Sequence, residues 1–489
     1  MAAISPFPLH PSRFSSEVPM DPVLLARIQF AMTVGFHFLF PPLTIGLAWI
    51  IFWLLVRARQ TGDEAYRHAA KLWTKLFAIS FVVGVASGIV NEFQFGTNWA
   101  QYSRMVGDIF GAPLAIEAIF TFFLESSFLA VLVLGWDRVS RGVQLLASGL
   151  VALGATLSAF WILVANSWMQ TPAGFVLRNG RAELTDFWAA VFNPSTLPRF
   201  FHTLDGAFIT AALFVLGISA WMMLRGRQDA PVRISLALGI VLALFAGLAQ
   251  LGLGHWHAVQ VAHTQPEKLA AFEGHFNTQA YAPALLFGLP DPETATVRYA
   301  VRIPGGLSWL AYGRPDAVVQ GLDAFPRAEW PPIALTFYSF HLMVLLGLYF
   351  IALPGLGLLL MWRATLWSIF PRACCTLRIP APSPNALQGR WFRPYLWVAL
   401  GSIPLPFLAN ELGWITAEVG RQPWIVYRVM KTADAVSISV PASQILISLG
   451  MLALIYAFLL VVWIVVLRRE VLSQPDAPHQ PSAGMEVTP

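Results

Sequence analysis

The sequence predicts an all-α integral membrane protein of about nine transmembrane helices, with a long extracytoplasmic loop between helices 6 and 7. Three observations predict it. Hydrophobic residues make up 57% of the chain and charged residues 12%, above the apolar share of a soluble globular protein. Charge-free intervals recur at lengths that cross a bilayer as helices, the secondary structure that satisfies its own backbone within one segment. Lys and Arg are unevenly divided between alternate connections. The formal net charge of +5 is spread along the chain without a basic block, which excludes a nucleic-acid partner.

Taken in order, residues 1–22 read as a disordered N-terminal tail. Four prolines in MAAISPFPLHPSRFSSEVP leave no apolar core for a signal peptide, and Met20 stands directly before the first span as an alternative start. Residues 23–254 hold helices 1–6. Four charge-free intervals are long, from Ile28 to Val56, Gly142 to Leu177, Gly206 to Leu224 and Ile234 to Pro266. Two are shorter or interrupted, from Leu76 to Asn91 and from Ile109 to Trp136 with Glu117 and Glu125 inside. Residues 255–332 form the loop, whose aromatic and apolar content predicts a folded outer cap rather than a linker. Residues 333–467 hold helices 7–9, and residues 468–489 a polar tail. One set of alternate connections carries 17 Lys and Arg in 88 residues, against 14 in 182 for the other. That asymmetry places the N-terminus outside and the C-terminus in the cytoplasm.

The two cysteines, Cys374 and Cys375, are adjacent, which excludes a disulfide framework and a Cys-based zinc site. A metal or haem must then hang on His, Met, Glu or Asp. Ionisable groups within spans are costly and so point to function. His37 falls about 14 residues into helix 1, as a haem or metal ligand or as a histidine bonded to a helix carbonyl. Glu117 and Glu125 are eight apart, about 12 Å along a regular helix with an offset of about 80°. That spacing suits a proton relay, to which Ser126 and Ser158 could add hydroxyls; the alternative is pairing with a neighbouring subunit. His202 at the start of helix 5 and Met343 in helix 7 could supply the axial pair of a low-spin haem, although a Met on an apolar helix is more often core filler. At the end of helix 8, Glu418 and Arg421 share a helical face with Trp414 one turn earlier.

The runs GRQPW at 420–424, GFHFLFPPLT at 35–44, EFQFGTNW at 92–99, GDIFGAPLAIE at 107–117 and ATLSAFWILVANSWMQ at 155–170 resemble subunit I of cytochrome bd-type quinol oxidases, from about Asp21 to Arg468. The resemblance implies a haem-containing terminal oxidase of the bacterial cytoplasmic (inner) membrane. Such an enzyme oxidises ubiquinol or menaquinol outside and reduces oxygen to water with cytoplasmic protons, without pumping. It implies that His37 and Glu418 ligate the two haems of the oxygen-reducing site, a second haem b and a haem d or further haem b, and that His202 and Met343 hold the low-spin haem b. Trp414 and Arg421 belong to the same surroundings, Glu117 and Glu125 to the haem environment and proton route, and Lys268 and Glu273 of KLAAFE to quinol oxidation. Partners implied are subunit II and a small single-helix subunit. The loop is of the short type found in the cyanide-insensitive branch, and His341 stands where the family commonly has Arg. A proton-coupled transporter is the alternative reading, but it leaves His202, Met343 and GRQPW without a role.

Overall fold

The computed structural model describes residues 21–365 and 391–473. Residues 1–20 with Met20, the Cys374 and Cys375 pair, and residues 474–489 of the tail lie outside the described residues. Among the described residues, nine helical segments are long and apolar enough to cross a membrane.

The first span is two helices. Asp21 caps α1 (Pro22–Phe38) by accepting from Val23 N at 2.9 Å, with Pro22 in the first turn. Leu39 and Phe40 then interrupt the helix ahead of Pro41 and Pro42, and α2 (Pro41–Thr61) ends at Gly62 in the left-handed region at φ 70°. His37 therefore sits in the last turn of α1 at a break, not midway along one continuous helix as its spacing suggested. Asp63 caps the second span, α3 (Glu64–Thr97). The third comprises α4 (Ala100–Ile116), a π-helical stretch Glu117–Phe122, and α5 (Phe123–Leu134). The wider turn corrects the expected 80° offset between Glu117 and Glu125, which assumed regular α-helix throughout.

The fourth span is α6 (Arg141–Gln170). The antiparallel strands β1 (Phe175–Arg178) and β2 (Arg181–Leu184) and the short α7 (Phe187–Val191) lead to α8 (Thr196–Leu224). The sixth span, α9 (Ala230–Thr264), continues through residues 255–264, which the sequence reading placed in the loop. The rest of the loop is folded: α10 (Pro266–Glu273), the antiparallel pair β3 (Ala284–Asp291) and β4 (Thr296–Ile303), and α11 (Gly306–Tyr312). The last spans are α12 (Ile333–Thr365), then α13 (Phe392–Gly401) and α14 (Leu405–Val419) broken ahead of Pro406, and α15 (Ala442–Leu472). A hairpin of β5 (Trp424–Val426) and β6 (Met430–Lys431) follows α14.

The core centres on α8, whose small residues admit neighbouring backbones. A Cβ on Gly46 of α2 would fall 2.5 Å from the Ala207 carbonyl oxygen, and one on Gly239 of α9 2.9 Å from that of Ala212. Such contacts suit helices in lipid, where close packing replaces the hydrophobic drive. Hydrogen bonds gather the 171–195 connection, the long loop and the β5–β6 hairpin at one end of the bundle, while Lys71 with Asp137 (2.9 Å) and Lys75 with Glu470 (2.7 Å) bind helices at the other.

Candidate functional site

The densest polar cluster lies where α14 ends. Arg421, three residues beyond Glu418, pairs with its Oε2 at 2.5 Å and is 3% exposed, so the carboxylate is held as the i, i+3 spacing suggested. The other oxygen accepts from Asn166 Nδ2 and Gln170 Nε2, each at 3.1 Å, and lies 3.7 Å from Arg199 Nη2. Arg199 also donates to Asn166 Oδ1 and lies 5.8 Å from the centre of the Trp414 ring. Trp414 in turn meets Phe38, next to His37, edge to face at 5.1 Å. Trp414 thereby joins the break of α1 to the Glu418 cluster.

Lys268 reaches the same cluster from α10. It is buried, and its Nζ donates to Gln170 Oε1. Burial, with Arg199 and Arg421 nearby, pushes its amine well below the ordinary lysine value. Glu273, at the other end of α10, is also buried, and desolvation raises its carboxyl to about 8. Two groups this deeply buried do not form a solvated ion pair. Beside Lys268, Glu267 accepts from Tyr427 of the hairpin at 2.6 Å, and burial, with this contact second, drives the Tyr427 hydroxyl far above its usual range.

His37 Nδ1 lies 3.1 Å from Ser87 Oγ. Ser87 Oγ also reaches the carbonyls of Val83 and Gly84, and in the tautomer where it accepts from Nδ1–H, Nε2 keeps its lone pair. Gly88 keeps the space beside the ring open, since a Cβ there would sit 3.0 Å from Cε1. His202 Nδ1 is buried without a hydrogen-bond partner, and its ring lies 5.4 Å from that of His257 on α9. Met343 Sδ faces α14 at Gly413, where a Cβ would approach to 3.1 Å. His341 is occupied elsewhere: Nδ1 faces the Phe337 carbonyl at 2.9 Å and Nε2 that of Leu285 at 3.0 Å, which ties α12 to β3.

Glu117 accepts from Ser158 Oγ of α6 at 2.6 Å, while Ser126 bonds the Phe122 carbonyl and takes no part. Glu125 is 6% exposed and packs on Gly154 of α6. The positions 154, 158, 166 and 170 are separated by multiples of four, a row that winds about 40° around α6 at each step of four, and along it α6 meets Glu125, Glu117, Glu418 and Lys268 in turn. Sequence reasoning passed over Asn166 and Gln170, although both stand in the quoted NSWMQ run, and Arg199, one turn before His202. It also passed over Glu411, half-buried, with Oε1 unpartnered and Oε2 facing Gly35.

Among the described residues, nine helices long and apolar enough to cross a membrane, with histidine, methionine and carboxylate side chains among them, define a multi-pass membrane protein. The family model of cytochrome bd terminal oxidase subunit I matches residues 25–475. Cytochrome bd ubiquinol oxidase subunit 1 of Bacillus subtilis is 39% identical, over 90% of this chain and 91% of that one. Cytochrome bd-II ubiquinol oxidase subunit 1 of Escherichia coli is 36% identical, over 94% and 98%. The solved bd oxidase of Geobacillus thermodenitrificans superposes with a TM-score of 0.82 at 33% identity, covering 93% of this chain and 99% of that one. The chain belongs to the cytochrome bd terminal oxidase subunit I family.

The donor set fits the haems that this family implies. Among the described residues no three His, Cys, Asp or Glu side chains converge on a bare ion, whereas single His, Met and Glu donors suit the axial positions of a macrocycle. Arg199 and Arg421 also crowd around Glu418 while buried, two guanidinium groups to one carboxylate. That surplus of cationic side chains suits the carboxylate arms of a haem.

Proposed function

We propose that this chain is the quinol-oxidising, oxygen-reducing subunit of a bd-type terminal oxidase. The reading is carried by Glu418, held by Arg421, Asn166 and Gln170 and joined through Gln170 to Lys268, within a chain of the bd family. His202 and Met343 would hold the low-spin haem b, and His37 and Glu418 the second haem b and the haem d or further haem b, with Trp414 and Arg421 packed beside them. When bound, these haems supply one-electron transfer and the reduction of oxygen to water.

The protein's own groups handle the protons. Ubiquinol or menaquinol docks at the long loop, which we place outside with the N-terminus. A lysine whose ammonium form is disfavoured accepts a proton from a quinol hydroxyl, so Lys268 is suited to that role. Glu273, raised to about 8, is neutral at pH 7 and donates a hydrogen bond to the quinol. Protons for water formation come from the cytoplasm by way of Glu125 and then Glu117, both against α6. Oxidation outside with proton uptake inside builds a potential without pumping. A subunit II, with a small single-helix subunit, completes the complex.

A reduced-minus-oxidised optical spectrum of the purified complex tests this. His202→Ala and Met343→Ala each abolish the six-coordinate signal, while His37→Ala and Glu418→Ala spare it and abolish oxygen reduction. A Met343→Ala protein with an unchanged low-spin spectrum and normal quinol oxidation refutes the axial assignment. A preparation without haem bands revives the transporter.

A further inference from the structure

Gln170, the last residue of α6, is 1% exposed, and its carboxamide bonds two side chains from distant parts of the chain, with a longer contact of 3.5 Å from Nε2 to the Ala417 carbonyl. Oε1 accepts from Lys268 Nζ, and Nε2 donates to Glu418 Oε1 at 3.1 Å. A carboxylate offers no donor, so the amide can be oriented only one way: oxygen toward the lysine, nitrogen toward the glutamate. Its backbone carbonyl accepts separately from Gln265 Nε2 at 3.0 Å, so the docking of α10 on α6 does not depend on the side chain alone. Gly420 lets the lysine in, because a Cβ there would stand 3.0 Å from Lys268 Cγ.

We propose that Gln170 is a positioning residue that couples the quinol-side Lys268 to the Glu418 carboxylate through a single carboxamide. The inference rests on the roles given above to Lys268 and Glu418. A lysine drawn toward a quinol pulls on the amide oxygen, and the amide nitrogen transmits the change to Glu418. Hydrogen bonds in series polarise one another, and one to a carboxylate is stronger than one between neutral groups. Asn166 and Arg199 also touch Glu418, but among the described residues only Gln170 is bonded to both ends.

The test is a double-mutant cycle on the purified complex, with Gln170→Met, Lys268→Met and the double variant. Two quantities are read: the absorption bands of the reduced and carbon monoxide-bound oxygen-reducing haems, and KM and kcat with a short-chain ubiquinol. In Gln170→Met, KM rises about tenfold, the scale of one lost charge-assisted hydrogen bond, and the oxygen-site bands move while the low-spin band stays. Lys268→Met moves the same bands, and adding it to Gln170→Met moves them no further. Gln170→Glu, which keeps an acceptor for Lys268 but offers no N–H donor to Glu418, still shifts the bands and covers a poorly assembled Met variant. Additive band shifts, or unshifted bands in both Gln170 variants, overturn the coupling. Lys268→Met with normal quinol kinetics overturns the quinol reading itself, and the coupling with it.

Discussion

Glu273→Gln separates a working carboxyl from a structural one. Glu273 closes α10 just before Gly274, is 8% exposed, and among the described residues has no hydrogen-bond or ion-pair partner. Burial raises its carboxyl from 4.5 to about 8. Below pH 4.5 the group is protonated in folded and unfolded chain alike. Between 4.5 and 8 only the unfolded chain gives up the proton, so stability falls as pH rises through that window and levels off above it. The whole displacement corresponds to roughly 5 kcal/mol, of which roughly 3 kcal/mol has been lost by pH 7. Glutamine has the same shape, stays neutral and keeps a donor. The Gln variant should therefore gain thermal stability over wild type as pH is raised from 5 to 8. Its kcat/KM for quinol should lack the wild-type decline near pH 8, which reflects loss of the carboxyl donor. Glu273→Ala, with no donor, should depress quinol oxidation at every pH with haem content unchanged. A Gln variant that keeps the wild-type decline, or an Ala variant with wild-type turnover at all quinol concentrations, refutes the reasoning.

Gly413→Val should displace the Met343 thioether, since even a Cβ lies 3.1 Å from Sδ, and overpacking of this kind costs about 1–3 kcal/mol. The low-spin spectrum should change although His202 is untouched, and an unaltered spectrum shows that Met343 is packing alone. The complex should contain at least one further membrane subunit, because helices α5, α12 and α15 carry long exposed apolar faces and Glu117 is only half-buried. Full oxidase activity from this chain purified alone would contradict that.

The helical membrane class, the nine spans and the family were legible in the sequence for one reason: lipid leaves a backbone few ways to satisfy itself, so apolar run length dictates structure. The i, i+3 pairing of Glu418 with Arg421 was legible because helix geometry sets it locally. Tertiary structure decided what local spacing does not encode. The break after His37 follows Pro41 and Pro42, but its placing of Phe38 against Trp414 depends on a helix nearly 400 residues away. The π-helical turn between Glu117 and Glu125 arises where Ser158 and Gly154 of α6 hold the two acids, a match of two helices that neither sequence segment specifies. Lys268 carried no visible partner in KLAAFE, and Gln170 no visible task in NSWMQ. Folding brings these side chains together across 98 residues because a buried amine needs an acceptor, and the end of α6 offers one that is already bonded to Glu418.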